Sequence, residues 1–358
     1  RGAGGGRGDG GAKGPATGPA GGCAAGAYCN GDVMAAVFYA WEFGTALGHI
    51  GTFLPVAREL RARGHTVRWA VAEPHQAARL LPREQFTWLA APTFPEQRRE
   101  HPPLNYADIL LRFGYANADD LLGLIVAWRE LLRLTGARIV LADHAPTAIL
   151  AARTLDIPVM LFGNGFFTPP PVSPTPNLRP WSAVPVERLQ QTDALALTSI
   201  NAVLARFDHP ALDTVAGLFR VAETSLLTFP ELDHYAQRGP AHYWGALPAA
   251  VAEAPVWPET SGPKVFAYLR TSGVHVDAAM QVLRASGAAV LAYVPDATPE
   301  WRARYAAPNL RFAAAPVDLN AAAPTAKPAR SYSPSGYMPG ISAVSPPISA
   351  QPARSQPR

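Results

Sequence analysis

The chain has 358 residues, enough for two ordinary domains, and its hydrophobic content of 48% suits a globular protein with a sizeable core. A pI of about 9.2 points at first to a polyanionic partner. The charge is unevenly placed: of 31 Lys/Arg and 27 Asp/Glu, residues 1–33 hold three and two, residues 321–358 hold four and none, and the middle keeps 24 and 25. The basicity therefore belongs to the ends, which removes support for a nucleic-acid partner of the folded part.

In chain order, residues 1–33 come first. "RGAGGGRGDGGAKGPATGPAGG" is glycine-rich, lacks large apolar residues and reads as a disordered head. Both cysteines, Cys23 and Cys29, lie in it, so disulfides and cysteine metal sites play no part in the rest. The first methionine, Met34, directly precedes the first strand pattern, which leaves 1–33 as upstream or appended sequence. No hydrophobic signal core and no apolar run of membrane-spanning length are present, and a cytoplasmic location is the expectation.

From there strand and helix patterns alternate. Strands are predicted at 35–41, 66–72, 86–90, 138–142, 158–162 and 224–229, and helices at 51–63, 75–81, 105–113, 118–134, 146–155 and 185–207. The first helix carries Pro55 in its opening turns, an apolar stripe through Phe53, Leu54, Ala57 and Leu60, and Gly64 as a stop. "RIVLAD" and "IPVMLF" are nearly continuous apolar runs, as strands buried on both faces should be. The expected class is α/β, a doubly wound parallel sheet over 34–248. A Pro-rich linker over 249–262 follows. A second, shorter alternation over 263–320 comes next: "KVFAYL", "VDAAMQVLRASG", "AAVLAYV", a helix near 299–306 and "LRFAAAP". Residues 321–358 are a Pro/Ser mixture without periodicity and read as a disordered tail.

Ligands of such sheets bind at the carboxyl ends of the strands. That rule selects His49, Glu73, Asp143, His144, Asn164, Glu231 and Asp233, and places His65 and Arg138 on the opposite edge. The loop "FGTALGHIGTF" has glycines at 44, 48 and 51, which is not the G-x-G-x-x-G spacing of a dinucleotide site, and no G-K-[S/T] follows. Its backbone can still approach a ligand, with His49 aimed at it. An imidazole near neutrality suits a general base, and a carboxylate that fixes its tautomer improves it; Asp143 ends a strand on the same edge. The bland alternatives are a solvent-facing helix-start residue for His49 and a helix cap for Asp143. The second is weakened by Pro146, which makes Ala145 the cap position.

"GHIGTFLPVARELRARGHTVRWAV" resembles the opening of the inverting GT-B glycosyltransferases, the family of UDP-glucuronosyltransferases, plant flavonoid glycosyltransferases and bacterial macrolide glycosyltransferases. "LADHAPTAILAARTLDIPVMLF", "LLTFPELDHY…HYWGALP" and "GPKVFAYL" resemble later segments of the same family, in the same order. The resemblance spans about residues 35–320 and implies a hexosyltransferase with a nucleotide-sugar as co-substrate, no metal and no further cofactor. His49 would be the base and Asp143 its partner. The small-molecule acceptor would lie near Gly48, Gly51, Asn164, Phe166, Phe167 and Trp181, and the donor would meet Thr271 and Ser272; for the aromatics ordinary packing, and for the last two a polar turn, are the alternatives.

The chain also departs from the family. None of its nine histidines is followed by Gly-Gly, so the donor motif H-G-G-x-G-T is not in the 358 residues. The strand–helix pattern turns into Pro/Ser sequence about where that motif falls due, which reads as a truncated donor domain. Besides an inactive glycosyltransferase, two readings stay open: a non-catalytic small-molecule-binding module, and another GT-B enzyme such as a nucleotide-sugar epimerase.

Overall fold

A computed structural model describes residues 34–45, 47–235, 238–247 and 252–322. The head at 1–33, residues 249–251 of the linker and the tail from 323 onward lie outside the described residues.

The first sheet has six strands, β1 (Ala36–Trp41), β2 (Thr66–Val71), β3 (Trp88–Ala90), β4 (Ile139–Asp143), β5 (Val159–Gly163) and β6 (Glu223–Leu226). Their order is β3-β2-β1-β4-β5-β6 and every pairing is parallel. The connections are helical: α1 (Gly48–Ala62), α2 (Pro74–Leu80), α3 (Tyr106–Arg112), α4 (Ala118–Leu134), α5 (Pro146–Arg153) and α6 (Val186–Ala205). This is the doubly wound arrangement that the alternation predicts, with the order reversing between β1 and β4.

Side chains alternate across a strand, so each strand feeds two cores. On one face Val37, Tyr39, Trp41, Val67, Trp69, Val71 and Leu141 pack with Ile50, Phe53, Leu54 and Ala57 of α1. On the other Phe38, Ala40, Ala70, Val140, Ala142 and Leu161 pack under α3, α4, α5 and α6. Helix α4 begins at Asn117, whose side chain accepts the amides of Asp119 and Asp120, and it buries Leu121, Leu124, Ile125, Trp128 and Leu132 along one stripe. The segment "HPPLNYADILLRFGYANADDLLGLIVAW" is mostly core: all of α3 is buried.

Two boundaries moved with consequence. Helix α1 starts at Gly48, three residues before the predicted 51, because the amide of Gly51 already reaches the Leu47 carbonyl at 2.8 Å. His49 is thus a first-turn helical residue and not a loop residue. Strand β5 runs one residue past its predicted end, to Gly163, and brings Asn164 to the start of a short 3-10 turn.

The second sheet is β7-β8-β9, formed by β7 (Lys264–Tyr268), β8 (Ala289–Tyr293) and β9 (Leu310–Phe312), all parallel. Its helices are α7 (Val276–Ala285), α8 (Pro299–Arg304) and α9 (Leu319–Ala322). Val276, Met280, Val290, Tyr305 and Leu310 form its main core. Among the described residues no helix is long and apolar enough to cross a membrane.

Trp128 is fully buried and meets Phe38 edge-on at 6.4 Å. Trp128→Ala is expected to lower the stability of the first sheet by about 3–5 kcal/mol through lost contact and a residual cavity, measured as a shift in the urea midpoint.

Candidate active site

Strands β1 and β4 are neighbours, with Trp41 opposite Asp143 at their carboxyl ends. The period of two that sends Tyr39 and Trp41 toward α1 sends Asp143 the same way. Helix α1 returns over these ends and presents His49 in its first turn. The two side chains meet: His49 Nδ1 lies 2.9 Å from Asp143 Oδ2, with side-chain exposures of 10% and 5%. With Asp143 ionised, this bond needs the proton on Nδ1 and leaves the Nε2 lone pair free. Asp143 is not a helix cap; Ala145 occupies that position and Pro146 opens α5.

The Nε2 atom faces the loop after β1. Gly44 has φ +85°, and a Cβ there would stand 3.0 Å from His49 Nε2. Only glycine suits both the left-handed backbone and the close approach to the imidazole. Trp41 stacks on His49 at 4.7 Å and 17° between ring planes, and its indole N–H donates to the Phe43 carbonyl at 2.8 Å. Phe167 tilts onto His49 at 5.3 Å.

A second histidine follows Asp143. His144 has φ +51°, is buried, and stacks on Phe167 at 4.2 Å with Phe43 edge-on at 5.3 Å. Neither ring nitrogen has a hydrogen-bond partner among the described residues. Burial, aided by the nearby His49, pushes its pKa well below the ordinary value; the Phe43 carbonyl acts the other way but lies outside hydrogen-bond geometry. His144 is therefore neutral at physiological pH.

Asn164 caps the Gly165–Phe167 turn, accepting the Phe166 amide at 3.1 Å, and is itself exposed. That turn is pinned from behind by Arg238, which donates to the Gly165 carbonyl at 2.7 Å and to the Thr168 carbonyl, and pairs with Asp233 at 2.6 Å. Asp233 also accepts from the Tyr243 hydroxyl at 2.7 Å. Burial pushes the Asp233 pKa up, but the bonds from Arg238 and Tyr243 outweigh it and hold the carboxyl below its usual range. Asp233 is consumed by this clamp, and so drops out of the edge residues that the strand-end rule selects. A Cβ on Gly165 would fall 2.1 Å from Asp233 Oδ1, so the turn tolerates no side chain there.

Gly48 is exposed and Gly51 half-buried, and added Cβ atoms on them would meet nothing within 4 Å. Trp181 stands 68% exposed on the Pro-rich connection before α6. At the carboxyl edge of the second sheet, the Thr271 hydroxyl and amide both donate to Asp296, at 2.8 and about 3.1 Å, while Ser272 is exposed in the same turn. His65 lies on the far edge, where its Nδ1 accepts the Ala35 amide at 3.2 Å.

The architecture has known counterparts. It is similar to the Streptomyces sp. SF2575 glycosyltransferase SsfS6 in complex with thymidine diphosphate (17% identity over 82% of this chain and 74% of that one, TM-score 0.51). It is also similar to the spinosyn rhamnosyltransferase SpnG (17%, 82% and 73%, TM-score 0.51) and to the glycotransferase of kitacinnamycin (18%, 78% and 70%, TM-score 0.51). The fold is GT-B-like. No protein-family model and no curated protein matches the sequence. At such identities the likeness concerns the fold. Within the GT-B-like frame, His49 and Asp143 occupy the point where the first sheet reverses its strand order, the usual ligand crevice of open parallel sheets.

Sequence reasoning missed Tyr39, Trp41 and Gly44 as parts of this site, and it placed Glu42 nowhere. Glu42 follows Trp41 but points to the opposite face, where its Oε2 accepts the Thr147 amide at 2.9 Å. Burial raises its pKa from 4.5 to about 8, only partly offset by Thr147 and Ala148. Its folded-state pKa exceeds the unfolded one. Its contribution to stability is therefore full below about pH 4.5 and is lost as pH rises through about 8. Glu42→Gln removes this dependence. Between pH 5 and pH 8.5 the variant is expected to lose less stability than the parent, by an amount on the order of 4 kcal/mol, read from urea midpoints at the two pH values.

Proposed function

We propose that this protein is a glycosyltransferase of the inverting kind, moving a hexose from a nucleotide-sugar to a hydroxyl of a small-molecule acceptor. The observation that carries the reading is the 2.9 Å contact between His49 and Asp143 at the reversal point of the strand order. In this reading His49 Nε2 takes the proton of the acceptor hydroxyl. The oxygen forms a bond to the anomeric carbon from the face opposite the leaving group. The bond from that carbon to the diphosphate breaks, and its electron pair leaves with the nucleoside diphosphate. Asp143 offsets the charge of the imidazolium, which returns its proton to water. The reading needs neither a metal nor a further cofactor, and it suits a cytoplasmic enzyme.

Several features support the acceptor side. Phe167, with Phe166 edge-on to it, stands beside the base on a turn fixed by Arg238, and the open backbone at Gly48 and Gly51 admits a ligand at the start of α1. On the donor side, the thymidine diphosphate held by SsfS6 makes thymidine diphosphate sugars the first donors to try. Thr271 and Ser272 would meet the donor, with Asp296 fixing the Thr271 hydroxyl. The division into an acceptor-binding domain over 34–248 and a donor-binding domain over 263–320 belongs to the same proposal.

The 358-residue chain lacks the H-G-G-x-G-T motif. Backbone amides that hold a developing oxyanion are worth about 2.7–4 kcal/mol each, so their loss removes most of the rate advantage. The chain alone is expected to bind phenolic or macrolide acceptors and to show no steady turnover with thymidine or uridine diphosphate sugars. Calorimetry and product chromatography check both halves, and micromolar donor binding or steady glycoside formation overturns the claim of inactivity.

A fusion that joins residues 1–262 to a complete donor half of the same fold tests the reaction itself. Glycoside formation with inverted configuration is expected, and His49→Ala should lower its turnover by about 10²–10⁴-fold. Turnover that survives the substitution excludes His49 as the base.

A further inference from the structure

We propose that Tyr39 is a positioning residue for the His49–Asp143 pair, its buried hydroxyl holding the Asp143 carboxylate and setting how strongly that carboxylate attracts the imidazole. The inference deepens the reading of His49 as the base and rests on it.

Tyr39 lies inside β1 and is fully buried, its ring stacked on Phe53 at 4.2 Å and tilted against Trp69 at 4.9 Å. Its hydroxyl stands 2.6 Å from Asp143 Oδ2 and 2.9 Å from the His49 carbonyl oxygen. A phenol has one proton to donate. The carboxylate is nearer and charged, so it receives the proton, as charge-assisted bonds are the shorter and stronger ones. The oxygen concerned is the one that also accepts from His49 Nδ1. Asp143 Oδ1 is buried and makes no hydrogen bond among the described residues, so the contacts of this carboxylate converge on Oδ2.

Two donors on one oxygen compete. Each takes part of the negative charge, and the share taken by Tyr39 is withheld from the imidazolium. Burial first, and the Asp143 charge second, push the Tyr39 pKa well above the ordinary value, so the phenol stays a donor over the whole working range. The titratable groups facing His49 are Asp143 from β4, Tyr39 from β1 and His144 from the connection between β4 and α5, and burial keeps His144 neutral. Trp41, Gly44 and Phe167, all uncharged, also border His49 among the described residues. Packing alone does not call for a hydroxyl here: a phenylalanine ring would stack on Phe53 and Trp69 equally well, and a buried hydroxyl without a partner costs stability.

The test is to follow the His49 ring signals by NMR in the full chain, labelled in its histidines and assigned with His49→Gln, as a function of pH. In Tyr39→Phe the carboxylate is left to the imidazole alone, and the His49 transition should move to higher pH by about half a unit to one unit. Site-specific 3-fluorotyrosine at position 39 strengthens the donor with little change of shape and should move the transition the other way. In an Asp143→Asn background, Tyr39→Phe should have no further effect, because its influence runs through the carboxylate. A transition that stays in place in both position-39 variants, or that moves equally without Asp143, overturns the proposal. None of these measurements uses sugar transfer, so a fusion enzyme that makes no glycoside sinks the reading of His49 as the base, while a His49 transition that ignores Tyr39 sinks the coupling alone.

Discussion

The pairing of β1 with β4 is the constraint on which the site depends. It sets Trp41 opposite Asp143. Because side chains alternate with period two, it also fixes which groups can reach α1. Tyr39 and Trp41 of β1 and Leu141 and Asp143 of β4 share one face; Ala40, Glu42 and Ala142 share the other. A slip of one residue would exchange these sets and carry Asp143 to the α5 side, away from His49. The glycine at position 44 turns the chain back sharply enough for α1 to cover the strand ends, and the Phe43 amide ties the two connections together through the His144 carbonyl at 3.0 Å.

The same alternation separates two acids that are near neighbours along adjacent strand ends. Asp143 accepts from an imidazole and a phenol on one oxygen; Glu42 receives an amide of α5 and little else, and burial raises its pKa to about 8. Burial without a cationic or second strong donor thus favours the neutral form of Glu42.

Much of the fold was legible because buried parallel strands write themselves as continuous apolar runs and helices end at glycine and proline. The rule that ligands gather at carboxyl strand ends put His49 and Asp143 among seven candidates, and the fit of a carboxylate to an imidazole base paired them. It could not see Tyr39, since a tyrosine inside "AAVFYAW" is indistinguishable from core until its hydroxyl is asked for a partner. Nor could it tell Asp143 from Asp233. Both follow strands, but Arg238, five residues further on, occupies the second. The start of α1 was placed late because its glycines read as loop, whereas the amide of Gly51 closes a helical turn. The exposure of Trp181 depends on the path of a Pro-rich connection, which no periodicity encodes.

The Arg238 clamp grips the aromatic turn by its main chain. Its bonds go to the carbonyl oxygens of Gly165 and Thr168, and every residue type supplies a carbonyl. The positions between them, Phe166 and Phe167, can therefore change identity while the loop keeps its course beside His49. Gly165 alone is held fixed, by the Asp233 oxygen where its side chain would be. The arrangement separates the shape of the loop from the chemistry it displays, so relatives could diversify what they recognise by substitution at two sites without rebuilding the scaffold behind them.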